Sequence, residues 1–216
     1  PSRIVADLER AGIRHVSMNA RSSSDLAAVL RLVRLIRAWR PAVVHSHSVP
    51  ADLWCGVAGR LASVPLVVNT IRNHDAHIFR AELSWLTGKF AVAVSRFSTT
   101  LADQVVAVSD GVAEYLVRDQ KVAISKVHVI RNGFDFKRLD EVRSRRSDIR
   151  SEMGWSDDDV VIGTLAILKH RKGLEFLIDA ACKVISRHPK ARFFVAGDGE
   201  ERQALETHIT RIGIAN

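Results

Sequence analysis

Two short loops in the last third of the chain contain residue types that bind phosphate groups. Residues 167–172 form a basic loop, after which Lys172-Gly173 opens the next element, and Gly197-Asp198-Gly199 forms the second loop. A lysine ammonium supplies a mobile positive charge, and glycine lets backbone N–H groups approach an anion closely. Either loop alone is more typical of a tight turn with a solvated charge. Two such loops on successive strand–helix units favour a phosphate site.

The elements around these loops follow the order strand, loop, helix, strand, loop, helix. The apolar, β-branched run at 160–166 predicts a buried parallel strand, and a second strand is predicted at 193–196. Apolar residues recur at helical spacing over 174–185, and Pro189 ends that helix. Another helical pattern begins at Glu200, so one βαβ unit leads into the next.

The strand order predicts that both loops lie at one edge of a sheet. In an open α/β sheet, ligands bind where the carboxyl ends of the strands meet helix N-termini. We therefore expect amide-rich bends at Gly163 and Gly197 beside the ammonium of Lys172. Asp198 is expected to cap the helix that follows it.

The first two thirds of the chain also alternate between strands and helices. Asp25 and Ser109 are candidate N-caps, because each precedes a helical stripe of apolar residues. The predicted strands are 15–18, 41–44, 65–68, 105–108 and 126–130. The predicted helices include 26–39, 52–61 and 79–101, together with a short helix at 148–153 that Gly154 stops.

His45 and His47 follow the strand at 41–44. Strand alternation puts both imidazoles on one face, at a spacing that suits a metal ion. No cysteine or carboxylate lies nearby in sequence to complete a ligand set, so a structural or substrate-facing role is favoured over zinc binding. No metal is expected.

The composition favours a globular protein with anionic partners. The chain has 216 residues, a net charge of +8 and a pI near 10.1. This charge is compatible with nucleotides, nucleic acid or an acidic membrane surface. Cys55 and Cys182 fit no disulfide framework, so we expect free thiols in a reducing compartment.

The chain has no apolar stretch long enough to span a bilayer. It starts without a methionine and stops where a doubly wound sheet would continue, so both domains are expected to be incomplete. The helix at 26–39 carries an arginine face that is either solvated or in contact with anionic lipid headgroups. The arginines are Arg31, Arg34, Arg37 and Arg40.

Several motifs in chain order resemble family 4 glycosyltransferases, which have the GT-B fold. In the last third, the resemblance to the donor-binding domain is carried by Ile162-Gly163-Thr164-Leu165-Ala166, by Lys172-Gly173 and by the run from Phe194 to Arg202. Asn132-Gly133-Phe134-Asp135 is similar to the stretch that precedes this domain. Ala102-Asp103 and Val106-Ala107-Val108-Ser109 resemble the end of the acceptor domain.

The resemblance implies an α/β protein with two Rossmann-like, doubly wound domains of the GT-B type. The expected boundaries are 1–135 for the acceptor-side domain, 136–158 for an interdomain crossing segment and 159–216 for the start of the donor-binding domain. The implied function is transfer of a sugar from a nucleotide-sugar donor to an acceptor hydroxyl with retention, in cell-envelope, polysaccharide or glycolipid synthesis. The implied acceptor is a sugar or lipid-linked hydroxyl, and no cofactor is implied.

The resemblance also implies roles for individual residues on the donor side. Lys172 is assigned to the donor diphosphate, with Lys169 or Arg171 assisting. The backbones of Gly173, Gly197 and Gly199 would line the donor pocket. The family commonly has Gly-Arg where this chain has Ala166-Ile167, so Lys169 is expected to take over the contact of that arginine.

On the acceptor side, His47 matches a family His-x-His at a strand end. The family often has Thr-x-His at the next strand end, with the histidine near the transferred sugar. Here Arg72 takes that place and His74 follows two residues later, so His74 is the catalytic candidate and Arg72 a substrate-binding one. A surface role for His74 remains an alternative. Asn132 belongs to the motif before the donor domain and is a further binding candidate.

Three other functions compete with sugar transfer. A sugar-nucleotide 2-epimerase would have the same fold, with acid/base carboxylates in addition. A non-catalytic relative that binds nucleotide or nucleic acid is suggested by the charge, but no recognition-helix or RNA-binding motif supports it. A nicotinamide-binding domain would need a third glycine where Arg202 stands. The expected location is the cytoplasm, including the inner face of the membrane, and these 216 residues alone are expected to be inactive.

Overall fold

Four parallel strands form the sheet of the first structural unit. They are β1 (Val43–Ser46), β2 (Leu66–Ile71), β3 (Gln104–Ala107) and β4 (Val127–Val129), in the order β1-β2-β3-β4. The computed structural model describes residues 3–22, 25–74 and 84–214, and it divides into two units, Pro1–Gly133 and Phe134–Asn216. The predicted strands at 41–44, 65–68, 105–108 and 126–130 are therefore confirmed, with small shifts of their ends.

The described residues of this unit also form five helices. They are α1 (Arg3–Arg10), α2 (Leu26–Trp39), α3 (Val49–Leu61), α4 (Trp85–Leu101) and α5 (Asp110–Arg118), and a 3₁₀ turn at Ile124–Lys126 precedes β4. The predicted N-caps are confirmed, since Asp25 accepts a hydrogen bond from the N–H of Ala28 and Ser109 accepts one from the N–H of Val112. The predicted start of α4 at Phe79 lies outside the described residues.

Two buried clusters hold the first unit together. One cluster joins α2, α3 and β2 through Val33, Ile36, Ala58 and Val67. The other joins β2, β3 and α5, and it contains Ile71, Val105, Ala107, Val112, Tyr115 and Leu116. Burial of these side chains fixes the strands whose carboxyl ends carry the candidate site.

The strand predicted at 15–18 is wrong. These residues form an irregular segment, and the guanidinium of Arg31 on α2 donates hydrogen bonds to the carbonyl of Met18. The sequence predicted a strand from the short run His15-Val16-Ser17-Met18, which follows the helix end at Gly12. No neighbouring strand among the described residues pairs with it, and a strand needs such a partner for its backbone groups.

The second unit contains two parallel strands, β5 (Val160–Leu165) and β6 (Ala191–Ala196). Its helices are α6 (Lys137–Arg143), α7 (Arg146–Glu152), α8 (Leu174–Ile185) and α9 (Arg202–Ile212), with a 3₁₀ turn at His170–Lys172. The predicted short helix at 148–153 corresponds to α7, and Gly154 follows it with φ +68°. Leu168, Leu174, Ile178 and Leu205 form the buried core of this unit.

Two predictions about β5 are wrong. Val160 and Leu165 are exposed rather than buried, because β6 is the only strand that pairs with β5 in the described part of the chain. Gly163 is not a bend, since it lies within β5 opposite Phe194. The amide-rich bends of this unit are therefore in the loops after the strands and not at Gly163.

The domain boundaries of the sequence analysis stay predictions. The two units divide between Gly133 and Phe134. The predicted crossing segment at 136–158 contains α6, α7 and the loop before β5, all in the second unit. The buried guanidinium of Arg150 on α7 donates to the carbonyls of Ser156 and Asp159, which orders the loop before β5.

Candidate functional site

The carboxyl ends of β1 and β2 bring His47 and Arg72 together in the first unit. A guanidinium nitrogen of Arg72 lies 3.3 Å from Nδ1 of His47. The His45 and His47 rings are 4.3 Å apart between centroids, as strand alternation predicted. The parallel register of β1 and β2 explains the contact, because both strands end at the same sheet edge.

This contact determines the tautomer of His47. An arginine side chain only donates hydrogen bonds, so Nδ1 of His47 must be the acceptor and must carry no proton. In the neutral ring the proton then lies on Nε2. Nε2 of His47 is therefore the ring nitrogen that can donate a hydrogen bond, while Arg72 contacts Nδ1.

His45 is more enclosed and has a different partner. Its Nε2 lies 2.7 Å from the hydroxyl of Thr70 on β2. Burial lowers the pKa of the His45 imidazole, and the neighbouring His47 lowers it further.

A buried polar cluster supports the ends of β1 and β2, and the sequence analysis did not find it. The hydroxyl of Ser46 donates to Asp52 at 2.5 Å and lies 3.1 Å from Oδ1 of Asn69. The Asn69 amide donates to the carbonyl of Ser98 on α4 at 3.3 Å. The available signal was an asparagine inside the apolar run of β2, because a buried polar side chain needs partners.

Asp52 also affects the nearby cysteine on α3. Burial, together with a smaller effect of the Asp52 carboxylate, raises the pKa of the Cys55 thiol to about 11. Cys55 and Cys182 are both free thiols, as predicted. A thiol with so high a pKa is a poor nucleophile at neutral pH.

His74 lies against the start of α5. Its Nε2 is 3.1 Å from the carbonyl oxygen of Gly111, and its ring stacks on Tyr115 with 5.0 Å between centroids. Asn132 is exposed in the segment after β4, next to the ion pair of Arg131 with Asp110. The predicted roles of His74 and Asn132 stay predictions.

In the second unit, the two predicted loops lie in contact at the carboxyl ends of β5 and β6. The Leu168 N–H donates to the carbonyl of Asp198 at 3.0 Å, and the Glu201 N–H donates to the carbonyl of Leu168 at 3.1 Å. The Ala166 N–H donates to the carbonyl of Ala196 at 3.0 Å. The expectation that both loops share one sheet edge is therefore confirmed.

The glycines of the second loop face the first loop. A Cβ on Gly197 would lie 1.8 Å from the carbonyl oxygen of Ala166, and one on Gly199 would lie 2.3 Å from that of Leu168. Gly197 also has φ +148°, which other residues rarely adopt. Both glycines are thus needed so that the two loops can pack against each other. From the sequence, their only expected role was to let a ligand approach the backbone.

Arg202, at the start of α9, holds the glycine loop in place. Its guanidinium donates to the carbonyl of Gly197 at 3.0 Å, to Asp198 at 2.9 Å and to Glu206 at 3.1 Å. This guanidinium lowers the pKa of the Asp198 carboxyl, and the N–H of Gly199 lowers it further. Asp198 is not the helix cap that we expected, because α9 begins after Glu201.

The predicted cations lie on the first loop, directly before α8. Gly173 has φ +61° and sits at the N-cap of α8, and the exposed Lys172 precedes it. Lys169 lies 3.9 Å from Glu200 of the second loop. Arg171 is exposed in the same 3₁₀ turn. This loop thus joins three cations to a helix N-terminus, where the first N–H groups lack intrahelical acceptors.

Comparison with known proteins identifies the family. Residues 3–138 match the model of Glycosyltransferase Family 4, and residues 145–216 match that of Glycosyl transferases group 1. The chain belongs to glycosyltransferase family 4. Within the described residues, no group of three or more His, Cys, Asp or Glu side chains is arranged to hold a metal ion.

Two relatives of this family 4 chain illustrate the similarity. Alpha-D-kanosaminyltransferase of Streptomyces kanamyceticus is 27% identical over 209 residues, which are 91% of this chain and 52% of that protein. The UDP-Gal:alpha-D-GlcNAc-diphosphoundecaprenol alpha-1,3-galactosyltransferase of Escherichia coli is 22% identical over 178 residues, 82% of this chain and 45% of that protein. The chain spans about half the length of these relatives.

A solved structure shows that the family 4 chain has the GT-B type of fold. Anabaena Alr3699/HepE in complex with UDP-glucose superposes with a TM-score of 0.76 at 22% identity, covering 98% of this chain and 56% of that one. The two α/β units with parallel sheets are the Rossmann-like domains predicted from the sequence.

Proposed function

We propose that this protein is a glycosyltransferase that moves a sugar from a nucleotide-sugar donor to an acceptor hydroxyl, with retention at the anomeric carbon. The observation that carries the proposal is the contact between the two loops after β5 and β6, beside Lys172 and the N-terminus of α8. Cations and the first N–H groups of a helix at one sheet edge suit a diphosphate.

The donor side would act mainly by stabilising the leaving diphosphate. Negative charge grows on that group as the bond to the sugar breaks, so a preorganised positive site lowers the barrier. Lys172 is proposed to contact the diphosphate, with Lys169 and Arg171 as supporting cations. The backbones of Gly173 and of the 197–199 loop would line the pocket. Neither a metal ion nor a cofactor is required in this scheme.

The acceptor side is proposed to use His47, Arg72, His74 and Asn132. His47 would donate a hydrogen bond from Nε2 to a substrate oxygen, because Arg72 occupies Nδ1. His74 is proposed as the catalytic residue near the transferred sugar. Its contact with the carbonyl of Gly111 supports a fixed ring orientation, as positioning in catalysis requires.

The names of similar proteins support a uridine nucleotide as the donor. The E. coli relative is named for UDP-Gal as donor and alpha-D-GlcNAc-diphosphoundecaprenol as acceptor, and the Anabaena structure contains UDP-glucose. We therefore propose a UDP-sugar donor and a sugar or lipid-linked hydroxyl acceptor, in cell-envelope, polysaccharide or glycolipid synthesis.

We further propose a cytoplasmic location, including the inner face of the membrane. In the described part of the chain, no helix combines the length and apolar character needed to cross a bilayer. A lipid-linked acceptor would require contact with the membrane surface. The basic charge of the chain supports such contact, since the cytoplasmic leaflet is anionic.

A thermal-shift screen with UDP, GDP and ADP, each also as its sugar conjugate, tests the donor site. A ligand that binds only the native state raises the unfolding temperature. We expect the largest rise with UDP or a UDP-sugar, and no rise with any nucleotide would overturn the proposal. Product analysis by NMR, done with the full-length protein, then separates the alternatives. Sugar transferred to an acceptor supports the proposal, whereas a donor sugar inverted at C2 without acceptor indicates an epimerase.

A further inference from the structure

Four large apolar side chains of helix α4 are exposed, whereas its fully buried residues are all small. Trp85 is 70% exposed, Leu86 70%, Phe90 72% and Phe97 54%. The buried residues of the helix are Gly88, Ser95, Ser98 and Thr99. A helix packed on a globular protein normally has the reverse arrangement, with its apolar stripe toward the core. The exposed side of α4 therefore resembles a surface that is covered by a partner.

The exposed side chains form one continuous strip. At about 100° per residue, Leu86, Phe90, Ala93 and Phe97 fall within an arc of about 60° on the helix circumference. Lys89, Arg96 and Trp85 occupy the adjoining arc, and the buried residues lie opposite. We call the exposed strip, comprising Trp85, Leu86, Lys89, Phe90, Arg96 and Phe97, the α4 aromatic face.

The charges on this face are positive only. Helix α4 contains Lys89 and Arg96 and no aspartate or glutamate. The ammonium of Lys89 lies 3.9 Å from the centroid of the Trp85 ring, so the cation and the indole sit side by side. Aromatic rings, aliphatic side chains and cations on one exposed helix face are the combination that binds in the interfacial region of anionic bilayers.

Other partners fit this face less well. A second copy packed on the same face would bring the positive charges of Lys89 and Arg96 close to those of its partner. The chain as a whole also carries a net charge of +8. Like charges across an interface oppose association. A bilayer supplies both the negative headgroups and the apolar depth that the rings need.

The arginine face of α2 is a weaker lipid site than the sequence analysis supposed. Arg31 donates to the carbonyl of Met18, and Arg37 donates to the carbonyl of Leu61. These guanidinium groups are engaged in holding neighbouring segments to α2. The contact with lipid that was predicted for α2 fits α4 better.

We propose that the α4 aromatic face binds the surface of a lipid bilayer that contains anionic lipids. Phe90, Leu86 and Phe97 enter the boundary between headgroups and acyl chains, while Lys89 and Arg96 contact phosphates. Trp85 lies at headgroup depth. This inference rests on the membrane-surface location proposed above and names the surface that makes the contact, but it does not depend on sugar transfer.

Sedimentation with lipid vesicles tests the proposal without any enzymatic readout. The protein is mixed with vesicles of phosphatidylcholine alone or with about 30% phosphatidylglycerol. We expect binding to the anionic vesicles to be at least about tenfold stronger. Phe90→Ser combined with Phe97→Ser should weaken binding to anionic vesicles about tenfold or more, because each phenyl ring adds buried apolar area.

Two further variants distinguish the contribution of the charges to vesicle binding from the effect of removing exposed apolar surface anywhere on the protein. Lys89→Gln with Arg96→Gln should remove most of the preference for anionic vesicles and the salt dependence of binding. Phe176→Ser is the matched control, since Phe176 on α8 is also 72% exposed but lies in the other unit, and it should bind like the unmodified protein. Circular dichroism checks that each variant folds.

Three results would overturn the proposal. The first is no binding of the unmodified protein to anionic vesicles, and the second is equal binding by the double phenylalanine variant. The third is a concentration-dependent dimer in analytical ultracentrifugation that Phe90→Ser with Phe97→Ser abolishes, which would assign the face to a second copy.

Discussion

A Cβ atom on Gly197 would lie 1.8 Å from the carbonyl oxygen of Ala166. The two loops at the carboxyl ends of β5 and β6 are therefore packed backbone against backbone. The Leu168 and Glu201 N–H groups add hydrogen bonds between them. The proposed diphosphate pocket depends on this contact, because it sets where the amides of both loops point.

Replacing Gly197 with alanine should destabilise the second unit by about 2–4 kcal/mol, since backbone on both sides must move and φ +148° is strained for alanine. Urea unfolding measures the change in free energy. Gly163→Ala in β5 is the control, because its Cβ would meet only the carbonyl oxygen of Phe194, at 3.9 Å, and its effect should stay within about 0.5 kcal/mol. Equal free energies of unfolding of the two variants would show that packing between the loops does not stabilise the unit.

Replacing Lys172 with alanine should weaken UDP binding about 10- to 100-fold, because a hydrogen bond to a charged group contributes about 1.5–3 kcal/mol. Isothermal titration calorimetry measures the affinity at low salt. Lys172→Arg keeps the positive charge and should lose less affinity for UDP than Lys172→Ala. Lys183→Ala, on the exposed side of α8, removes the same charge elsewhere and should leave the affinity unchanged. If both alanine variants bind equally, Lys172 does not contact the nucleotide.

Replacing Arg202 with glutamine should raise the pKa of Asp198 toward its ordinary value of 3.8, because the guanidinium is the main cause of the lowered value. A carboxyl with a lowered folded-state pKa stabilises the fold above its unfolded value, and this stability is lost as the pH falls through the folded-state pKa. The variant should therefore lose less stability on acidification below pH 3.8.

Carbon-13 NMR titration of the Asp198 carboxyl measures this pKa directly. Glu206→Gln serves as the control, because Glu206 pairs with Arg202 without contacting the glycine loop. Glu206→Gln should change the pKa of Asp198 less than Arg202→Gln does. If the pKa of Asp198 is the same in Arg202→Gln and in the unmodified protein, Arg202 does not hold the Asp198 carboxylate.

Replacing Arg72 with alanine should change the tautomer of His47, because the donor that holds Nδ1 unprotonated is removed. Nitrogen-15 NMR of the imidazole distinguishes protonated from unprotonated ring nitrogens. In the unmodified protein we expect the Nε2–H form, and in the variant a mixture. Arg34→Ala on α2 is the control and should leave the His47 signals unchanged. A predominant Nδ1–H form in the unmodified protein would contradict the contact.

The local patterns predicted most elements of the fold correctly. The runs of β2 and β3 and the caps at Asp25 and Ser109 were found because each depends on residues only a few positions apart. The strand expected at 15–18 and the burial of β5 were wrong for a common reason. Both depend on whether another strand or helix lies alongside, which a local pattern does not report.

By itself, the sequence determined that Lys172 and the Gly197–Gly199 loop follow strand ends, and that His45 and His47 share a face. Periodicity alone places such residues, because a strand repeats every two positions. Only the tertiary structure decided that Gly197 packs on Ala166, that Arg72 reaches His47 and that α4 exposes its aromatic rings. These relationships join or separate residues far apart in the chain, so they are set by packing between elements and not by the order of residues within one.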